Sequence, residues 1–541
     1  MPIGLIVYGD KSHFDTHGGL CTTPLSFTLS VFNREARNSS RFWRPMAYLP
    51  NLDQDVLDET DNNNTHETND PLTSVDSLKD EQKCLSIALD SLKSTHRKGG
   101  FTATVLGRRV NIRVWIHFLS GDTHGNNRWI AHYNSSGKLK RPWRNCKCSY
   151  DDMINVNPTC VFIRPEEVTE CIRLSNLGAT KTAREAPMKA ISKHNVELAF
   201  QHRDVPLSDA VHGVYKMIPP DLLHTTKEGT SKYIFESLRK MIGKSNAGTR
   251  ASTCVERVFL KIHRDLSRNS ERDLPHGSSN SGLLKSARIW ASQHQGNVLR
   301  LLCLIYTSEV QDVLDPILRK HGCSLVKMAK FLKLYLGMEA WFHTENKKNK
   351  VHLARYLIGT VIQMLIDLFP RGGQGWHLPK VHGLTQMQEF IILFGSGSNF
   401  DTDTGESNHQ MFVKDTGTIT QKRKDRFVEQ TAHHFYQHLV VKIAASSVDS
   451  MEKLMFETPD KKCSKNRNKW QGEYSVVVTN MGIHQQVQCV WSAGRKKKEM
   501  CAVSENISRF MSTHLIDLGW TQDYTYLAYT ELMLHVDNRY E

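Results

Sequence analysis

The sequence predicts an α/β fold: a mixed sheet interrupted by a large α-helical insertion, with a C-terminal strand-rich accessory domain. Three observations predict it. Strand-like runs crowd the N-terminal part, beginning with IGLIVYGD at residue 3. Helical periodicity then dominates from about Glu166 to Phe394, as in LVKMAKFLKLYLGMEAWF and RYLIGTVIQMLIDLF. Strand-like alternation returns between Asn466 and Glu541, in EYSVVVTNMG and QQVQCVWSAG.

Taken in order, IGLIVYGD reads as a buried strand that ends in a carboxylate. A central strand this close to the first residue makes a missing upstream module the expectation. LSFTLSVF (Leu25 to Phe32) and RFWRPMAYLP (Arg41 to Pro50) follow, separated by NREARNSS, and together suggest an antiparallel meander. Residues 51–81 are rich in Asp, Asn and Thr and carry a single lysine, which reads as a disordered acidic loop. A helix is expected over EQKCLSIALDSLKS. Two strands joined at Gly107 are expected in VLGRRVNIRVWIHFLSGD, the second ending in Gly-Asp like the first. From Pro142 to Cys171 the chain is basic, aromatic and cysteine-bearing, and HGSSNSGLLKS breaks the helices as a polar loop. No internal repeat of fixed period is present. The C-terminal GWTQDYTYLAYTELMLHVD carries no chemistry of its own.

Composition narrows the function classes. The 541 residues include 70 Lys+Arg against 56 Asp+Glu, a formal charge of +14 spread along most of the chain. That excess points to a polyanionic partner, nucleic acid ahead of an acidic membrane surface. A basic enzyme without nucleic acid stays open on charge alone. Hydrophobic content of 39% argues against wholesale disorder. The 12 cysteines are scattered, which fits a reducing compartment rather than a disulfide scaffold. The opening MPIGLIVYGDK lacks the features of a signal peptide. The longest apolar stretch, Tyr356 to Phe369, is broken by Gln363 and Asp367 and is too short for a bilayer, so no membrane partner is expected.

The chemistry resides in acids. Gly9-Asp10 and Gly121-Asp122 each place a carboxylate just beyond a strand, ahead of a flexible polar loop. Glu406 follows Gly405 in TGESNHQMFVK and begins a helix. Singly, each has a plainer reading: aspartates end strands for turn chemistry, and glutamates favour helix N-termini. Jointly they match the ribonuclease-H-like nucleotidyl-transfer arrangement. There three carboxylates hold two Mg²⁺ ions about 3.5–4 Å apart, activating a water or 3′-hydroxyl and stabilising the leaving oxygen. The distance along the chain from Asp122 to Glu406 is too long for one compact fold and requires the helical insertion.

These residues resemble a family, the eukaryotic cut-and-paste DDE transposases of the Plavaka and Kyakuja-Dileera-Zisupton type, related to the CACTA group. GDKSHFDTHGGLCTTPLSFTLSVFN is similar to the family's first catalytic strand, which maps its first aspartate onto Asp10 rather than Asp15. FLSGDTHGNNRWIAHYN is similar to the second block and maps the next aspartate onto Asp122. MIPPDLLHTTKEGTSKYIFESL resembles the Pro-Asp-x-x-His signature, giving Asp221 and His224 as auxiliary residues. The stretch from WHLPKVHGL through TGESNHQMFVKDTGTITQKRKDRFVEQTA resembles the block with the third carboxylate, Glu406. The blocks occur in the family's order and span residues 3 to about 440. The resemblance implies Mg²⁺ (or Mn²⁺) at Asp10, Asp122 and Glu406, double-stranded DNA of transposon ends and target as partner, a nuclear location and a homo-oligomer as an option.

It also implies domain limits: 1–140 for the first part of the ribonuclease-H-like catalytic core, 141–175 for the cysteine-bearing basic insertion and 176–394 for the helical insertion. The last catalytic helix region then falls at 395–450, and the β-rich accessory domain at 466–541.

Further residues gather around this set. At i and i+3 on a helix, Asp221 and His224 share a face, for contacting DNA or steadying the metal-bound acids, or as a helix-capping Asp with a packed His. Lys380 and His382 in PKVH, and His409 with Lys414, are expected to line the same cleft and face phosphate. The family often carries a zinc-binding insertion, and RPWRNCKCSYDDM is the matching region. Cys146, Cys148 and Cys160 with a histidine such as His132 can close a tetrahedron around Zn²⁺. Free thiols are the other reading, because C-x-C is a poorer spacing than C-x-x-C and Trp143 stands where the first cysteine would be. Among basic clusters, Lys422, Arg423 and Lys424 in QKRKDR are favoured for DNA, being expected on the helix of Glu406; Lys347, Lys348 and Lys350, and Arg495 to Lys498, are weaker candidates. KKCSKNRNK and RKKK also suit nuclear localisation. The alternatives to a transposase are a domesticated or decayed, transposase-derived DNA-binding protein without catalysis, and a host ribonuclease-H-like nuclease.

Overall fold

Strand β1 (Pro2–Gly9) is the axis of the molecule: seven of its eight residues are buried. The computed structural model describes residues 1–15, 20–50, 71–105, 107–134, 139–156, 161–245, 247–269, 283–284, 291–343, 351–369, 371–456, 474–477 and 488–491. β1 pairs antiparallel with β3 (Cys21–Leu29) on one side and parallel with β6 (Arg108–Ser120) on the other. A short β2 (Ser12–His13) and then β4 (Arg44–Leu49) pair with β3, and β5 (Phe101–Val105) forms a hairpin with the first half of β6. The result is a mixed six-stranded sheet with the order β2-β3-β1-β6-β5, and β4 also on β3.

The alternation of side chains along β1 places the sheet between two helical layers. Leu5 and Val7 point into a core with Leu25, Ile116, Leu119, Leu85, Leu89 and Trp129. Ile6 and Tyr8 point into the opposite core, with Phe118 and the helices of the long central region. Each such fully buried aliphatic or aromatic side chain contributes about 1.5–3 kcal/mol. The second core is built by helices Lys232–Gly243, Gly248–Asn269, Ala291–Leu304, Ser308–Lys320, Leu325–His343, Val351–Leu368 and Pro379–Phe394. Helix Asp403–His409 and the long helix Phe427–Phe456 follow. Among the described residues, no helix is long and apolar enough to cross a membrane.

Several expectations change. Helix Pro71–Ala88 occupies residues 71–81, where an acidic loop was expected. Its polar composition conceals a helical stripe in which Val75, Leu78 and Leu85 meet apolar residues of the fold. The helix expected over EQKCLSIALDSLKS is two helices, parted at Leu89. QKRKDR does not continue the helix of Glu406: helical structure stops at Thr418, and the basic run forms a turn before Phe427 in which Lys422 has φ 57°. Of the C-terminal segment, the described part is one antiparallel pair, Tyr474–Val477 with Gln488–Trp491. The rest of 466–541, with Arg495 to Lys498, lies outside the described residues, as do Cys160 and Lys347, Lys348 and Lys350.

The ends of β1 and β6 meet closely. A Cβ added to Gly121 would lie 2.6 Å from the carbonyl oxygen of Gly9. Gly121→Ala is therefore expected to cost about 1–3 kcal/mol through overpacking. Gly337→Ala, in the interior of helix Leu325–His343 with nothing near its added methyl, is expected to stabilise by up to about 1 kcal/mol. Denaturant unfolding of the two variants beside the parent chain measures the contrast.

Candidate functional site

Parallel pairing fixes the first two acids. Tyr8 is opposite Ser120 in the register, so the two following positions set Asp10 beside Asp122. Asp122 caps helix Thr123–Trp129, its Oδ1 accepting from the Gly125 N–H at 2.5 Å. Asp10 Oδ1 accepts from the Lys11 N–H at 2.7 Å, and its Oδ2 lies 3.4 Å from the Tyr8 hydroxyl that donates to it. Both aspartates line one cleft of 240 Å³, with Lys11, Glu81, His124 and Arg128 on its walls. Burial, and then the charge of Asp122, push the Asp10 carboxyl up to about 7.

Glu406 arrives from the other side of Tyr8. Helix Asp403–His409 presents Gly405 to the Tyr8 ring so closely that a Cβ there would stand 2.5 Å from it. His409, one turn later, lies tilted against the same ring, with centroids 5.8 Å apart. Burial, together with the negative charges of Asp221 and Asp10, raises Glu406 to about 8 against the opposing pull of His224. Tyr8 registers all four acids. Burial first, then Asp10, Glu406, Asp221 and Asp122, push its phenol far above the ordinary range.

Asp221 and His224 bridge the set. Asp221 stands just ahead of a wide helical turn, Leu223–Ser231, and accepts from the N–H groups of Leu223 at 3.1 Å and His224 at 3.0 Å. It also accepts from the Thr402 N–H at 3.1 Å and from the His224 Nδ1. His224 Nε2 is then 3.5 Å from Glu406 Oε1. Burial alone would push the imidazole down, but the Asp221 hydrogen bond and the charges of Asp221, Glu406 and Asp122 raise it to about 9. The Asp221 hydrogen bond thus favours the charged form of the imidazole, which stands between the carboxyl groups of Asp221 and Glu406. Lys227 of the same turn reaches Asp401 at 3.4 Å, a second tie between this turn and the segment leading to Glu406.

The remaining candidates divide. His409 is buried behind Tyr8, where burial lowers it to about 4, so it does not face the cleft; Lys414 is exposed. Lys422 packs over Phe14 at 5.6 Å, which places the basic turn beside the hairpin that follows Asp10. Arg423 is paired with Asp425 at 2.8 Å. Lys380 donates to the Glu228 carbonyl at 3.2 Å instead of pointing at solvent. His382 is buried and faces sulfur, not phosphate: its Nε2 is 3.4 Å from Cys146 Sγ. His132 is not available as the zinc histidine, because its Nδ1 and Nε2 are 2.9 Å and 3.0 Å from the carbonyl oxygens of Tyr133 and Arg141.

Among the described residues, one group of three His, Cys, Asp or Glu side chains has all its ligand atoms within 4.8 Å of one another: Cys146, Cys148 and His382. That group can bind a metal ion. The carboxylates of Asp10, Asp122 and Glu406 do not close to the same degree, since Glu406 turns toward His224.

Sequence reasoning missed three residues near the acids. Tyr8 is the plate on which the site is built, and its position two residues before Asp10, on the same strand, was the available signal. His124 sits in the cleft two residues after Asp122. Arg144 is fully buried, donates to Asn127 Oδ1 at 3.2 Å, and stays close enough to Asp122 and Asp221 to be stabilised by them. Nothing local marked it out.

The raised carboxyl of Asp10 has a thermodynamic sign. A carboxyl whose folded-state pKa exceeds its unfolded value contributes stability below the ordinary carboxylate range, and that contribution is lost as pH rises through about 7. In chelator-containing buffer, Asp10→Asn is expected to raise the melting temperature by a few degrees near pH ~8 and to change it little near pH ~4, as read by scanning calorimetry. Compared with models of known families and with curated proteins, the chain matches none.

Proposed function

We infer that the chain is the catalytic region of a DNA transposase of the DDE type, performing strand cleavage and strand transfer at transposon ends. The observation that carries this reading is the side-by-side placement of Asp10 and Asp122 at the ends of two parallel strands, with Glu406 held across Tyr8. The antiparallel β1-β3-β4 meander and the parallel neighbour β6 that carries the second acid support a ribonuclease-H-like reading, whereas β5 joins β6 as an antiparallel hairpin. The resemblance of the blocks around Asp10, Asp122, Asp221 and Glu406 supports the same reading.

In that reading Asp10, Asp122 and Glu406 would hold Mg²⁺ or Mn²⁺, which would supply Lewis-acid activation of the attacking oxygen and charge stabilisation at the leaving one. A structural zinc belongs with the cysteine pair. The chain's own residues supply position and charge. Asp10 and Asp122 are fixed by strand ends, so their spacing does not depend on loop order. His224 steadies Glu406 and neutralises part of the acidic cluster. Lys422 and its neighbours, beside the hairpin after Asp10, suit the DNA backbone. The partner is double-stranded DNA, and the location that fits it is the nucleus.

Cleavage of terminal inverted repeats in Mg²⁺ is the direct assay. Asp122→Ala is expected to lower the rate by at least about 10²–10³-fold while leaving DNA binding in place. Gly405→Ala is expected to reduce cleavage as well, because its methyl displaces helix Asp403–His409 from Tyr8 and carries Glu406 away. Binding without cleavage in the parent chain, at any Mg²⁺ concentration, selects the decayed DNA-binding alternative; preference for RNA–DNA hybrids selects a host nuclease.

Binding has its own signature. Replacing Lys422, Arg423 and Lys424 together by Ala is expected to make the plot of log K against log salt shallower by about 2, since each phosphate contact accounts for ~0.9 and Arg423 is already engaged with Asp425. Fluorescence anisotropy over a salt series on duplex DNA measures it.

A further inference from the structure

We propose that the connection between β3 and β4, residues 30–44, is a phosphate-binding ledge that takes the backbone of duplex DNA beside the helix of Glu406, at the opposite end of β1 from Asp10. The proposal deepens the transposase reading and takes its partner from it. The ledge itself is read from charge and geometry.

The segment SVFNREARNSSRFWR carries Arg34, Arg37, Arg41 and Arg44 against a single acid, Glu35. Arg423 has a carboxylate partner in Asp425. Arg34, Arg37 and Arg41 instead meet uncharged groups among the described residues. Arg34 Nη1 donates to the His343 carbonyl at 3.5 Å, and Arg37 Nη2 donates to Asn399 Oδ1 at 2.7 Å. The Arg41 guanidinium lies over the Phe42 ring, 4.7 Å from its centroid. These contacts hold the guanidinium groups without neutralising them. Arg34 and Arg41 are exposed and Arg37 is half-buried. The crowding is felt locally: burial and then the charge of Arg34 lower Arg37, and burial, Lys227 and Arg34 hold the His343 imidazole down at about 4. Positive charge is concentrated here with no counter-ion from these residues, and a bound polyanion would offset the repulsion.

The donors suit phosphate. A guanidinium presents a planar fork that pairs bidentately with phosphate oxygens, and stacking on an aromatic face leaves its edge N–H groups available. The backbone that carries them is held in place. Asn33 Oδ1 accepts from the Ala36 N–H at 2.8 Å, the Trp43 indole N–H donates to the Arg37 carbonyl at 2.7 Å, and Arg44 Nη1 donates to the Trp43 carbonyl at 2.8 Å. A surface ordered beforehand loses less freedom when it binds.

Position relates the ledge to the acids. The Ser30 N–H donates to the Gly4 carbonyl at 2.8 Å, so the connection leaves the sheet beside Gly4. From Gly4 to Asp10 the strand advances about 20 Å at ~3.3 Å per residue. The Thr404 hydroxyl donates to Asn38 Oδ1 at 3.4 Å, which ties the ledge to helix Asp403–His409. The basic turn with Lys422 lies at the other end of β1, against Phe14. The acids thus stand between two basic surfaces. At ~3.4 Å of axis per base pair, the ledge is about six base pairs from the scissile phosphate.

The test uses the full chain in chelator-containing buffer and a labelled duplex long enough to reach from the ledge past the acids. Arg34→Gln with Arg41→Gln changes exposed side chains and is expected to leave the melting temperature unchanged. In fluorescence anisotropy the double variant is expected to make the plot of log K against log salt shallower by about 2, additively with the replacement of Lys422, Arg423 and Lys424. A photo-crosslinker walked along the duplex phosphates is expected to label residues 30–44 of the parent chain. Excess unlabelled duplex should suppress that labelling, and polyglutamate of equal charge should not. An unchanged salt slope in the folded double variant, labelling confined to other segments, or equal competition by polyglutamate overturns the ledge while the transposase reading stands on the parent chain's DNA binding. A parent chain that binds no duplex even at low salt overturns both.

Discussion

Two carboxylates that repel each other are held side by side because the strands carrying them cannot separate. At about 4 Å, two unit charges in a protein-like medium of effective dielectric 20 repel by about 4 kcal/mol. What opposes this is β1, buried along seven of its eight residues and hydrogen-bonded on both edges. Gly121 lets the strand ends approach within contact distance of the Gly9 carbonyl, where a side chain would force them apart, and Gly9 makes room for the Trp129 ring. Burial first, and then the neighbouring charge of Asp122, raise the Asp10 carboxyl to about 7. The rest of the site is arranged around that pair.

The arrangement is a matter of counter-charge. Asp10, Asp122, Asp221 and Glu406 all act on the Tyr8 phenol, so the cluster is compact. Cations are interleaved among them in fixed places. His224 lies between Asp221 and Glu406, Lys227 reaches Asp401, and buried Arg144 lies close behind Asp122 and Asp221. The chain's surplus of base thus has an interior use as well as a surface one. Glu406 Oε1 lies 3.5 Å from His224 Nε2, whose positive charge opposes the raising effect of burial, Asp221 and Asp10.

The strand ends at Asp10 and Asp122 were legible because a buried apolar run closing in Gly-Asp is a local pattern. Their adjacency was not, since it depends on β6 crossing the chain to lie parallel with β1. Asp221 and His224 were legible as a pair through their spacing, but their link to Glu406 joins residues far apart in the chain. His382 was assigned to phosphate by its sequence neighbours, whereas its partner Cys146 is 236 positions away. Helix Pro71–Ala88 was hidden by composition. Its mean polarity suggests a loop, while Val75, Leu78 and Leu85 keep the three- and seven-residue intervals of a buried stripe. The basic run after Glu406 failed for the opposite reason, since helical continuity was assumed across a turn in which Lys422 takes a left-handed backbone.

The helical region between Asp122 and Glu406 is more than a spacer. One continuous core joins Ile6, Tyr8 and Phe118 of the sheet with Phe235 and Phe331 of the insertion, Phe390 of the helix after the cysteine pair, and Phe412 beyond Glu406. Removing the insertion would expose one whole face of the sheet, so the sheet and the helices are a single cooperative body. The same helices end at the site: the turn Leu223–Ser231 carries His224 and Lys227, and helix Pro379–Phe394 presses Gly383 against its start. A side chain added at that contact would move the turn, and the turn would move Glu406 through His224. The third acid is therefore positioned less by its own short helix than by the packing of elements that lie far from it in sequence. That is why the acids could be found one by one while their assembly required the whole core.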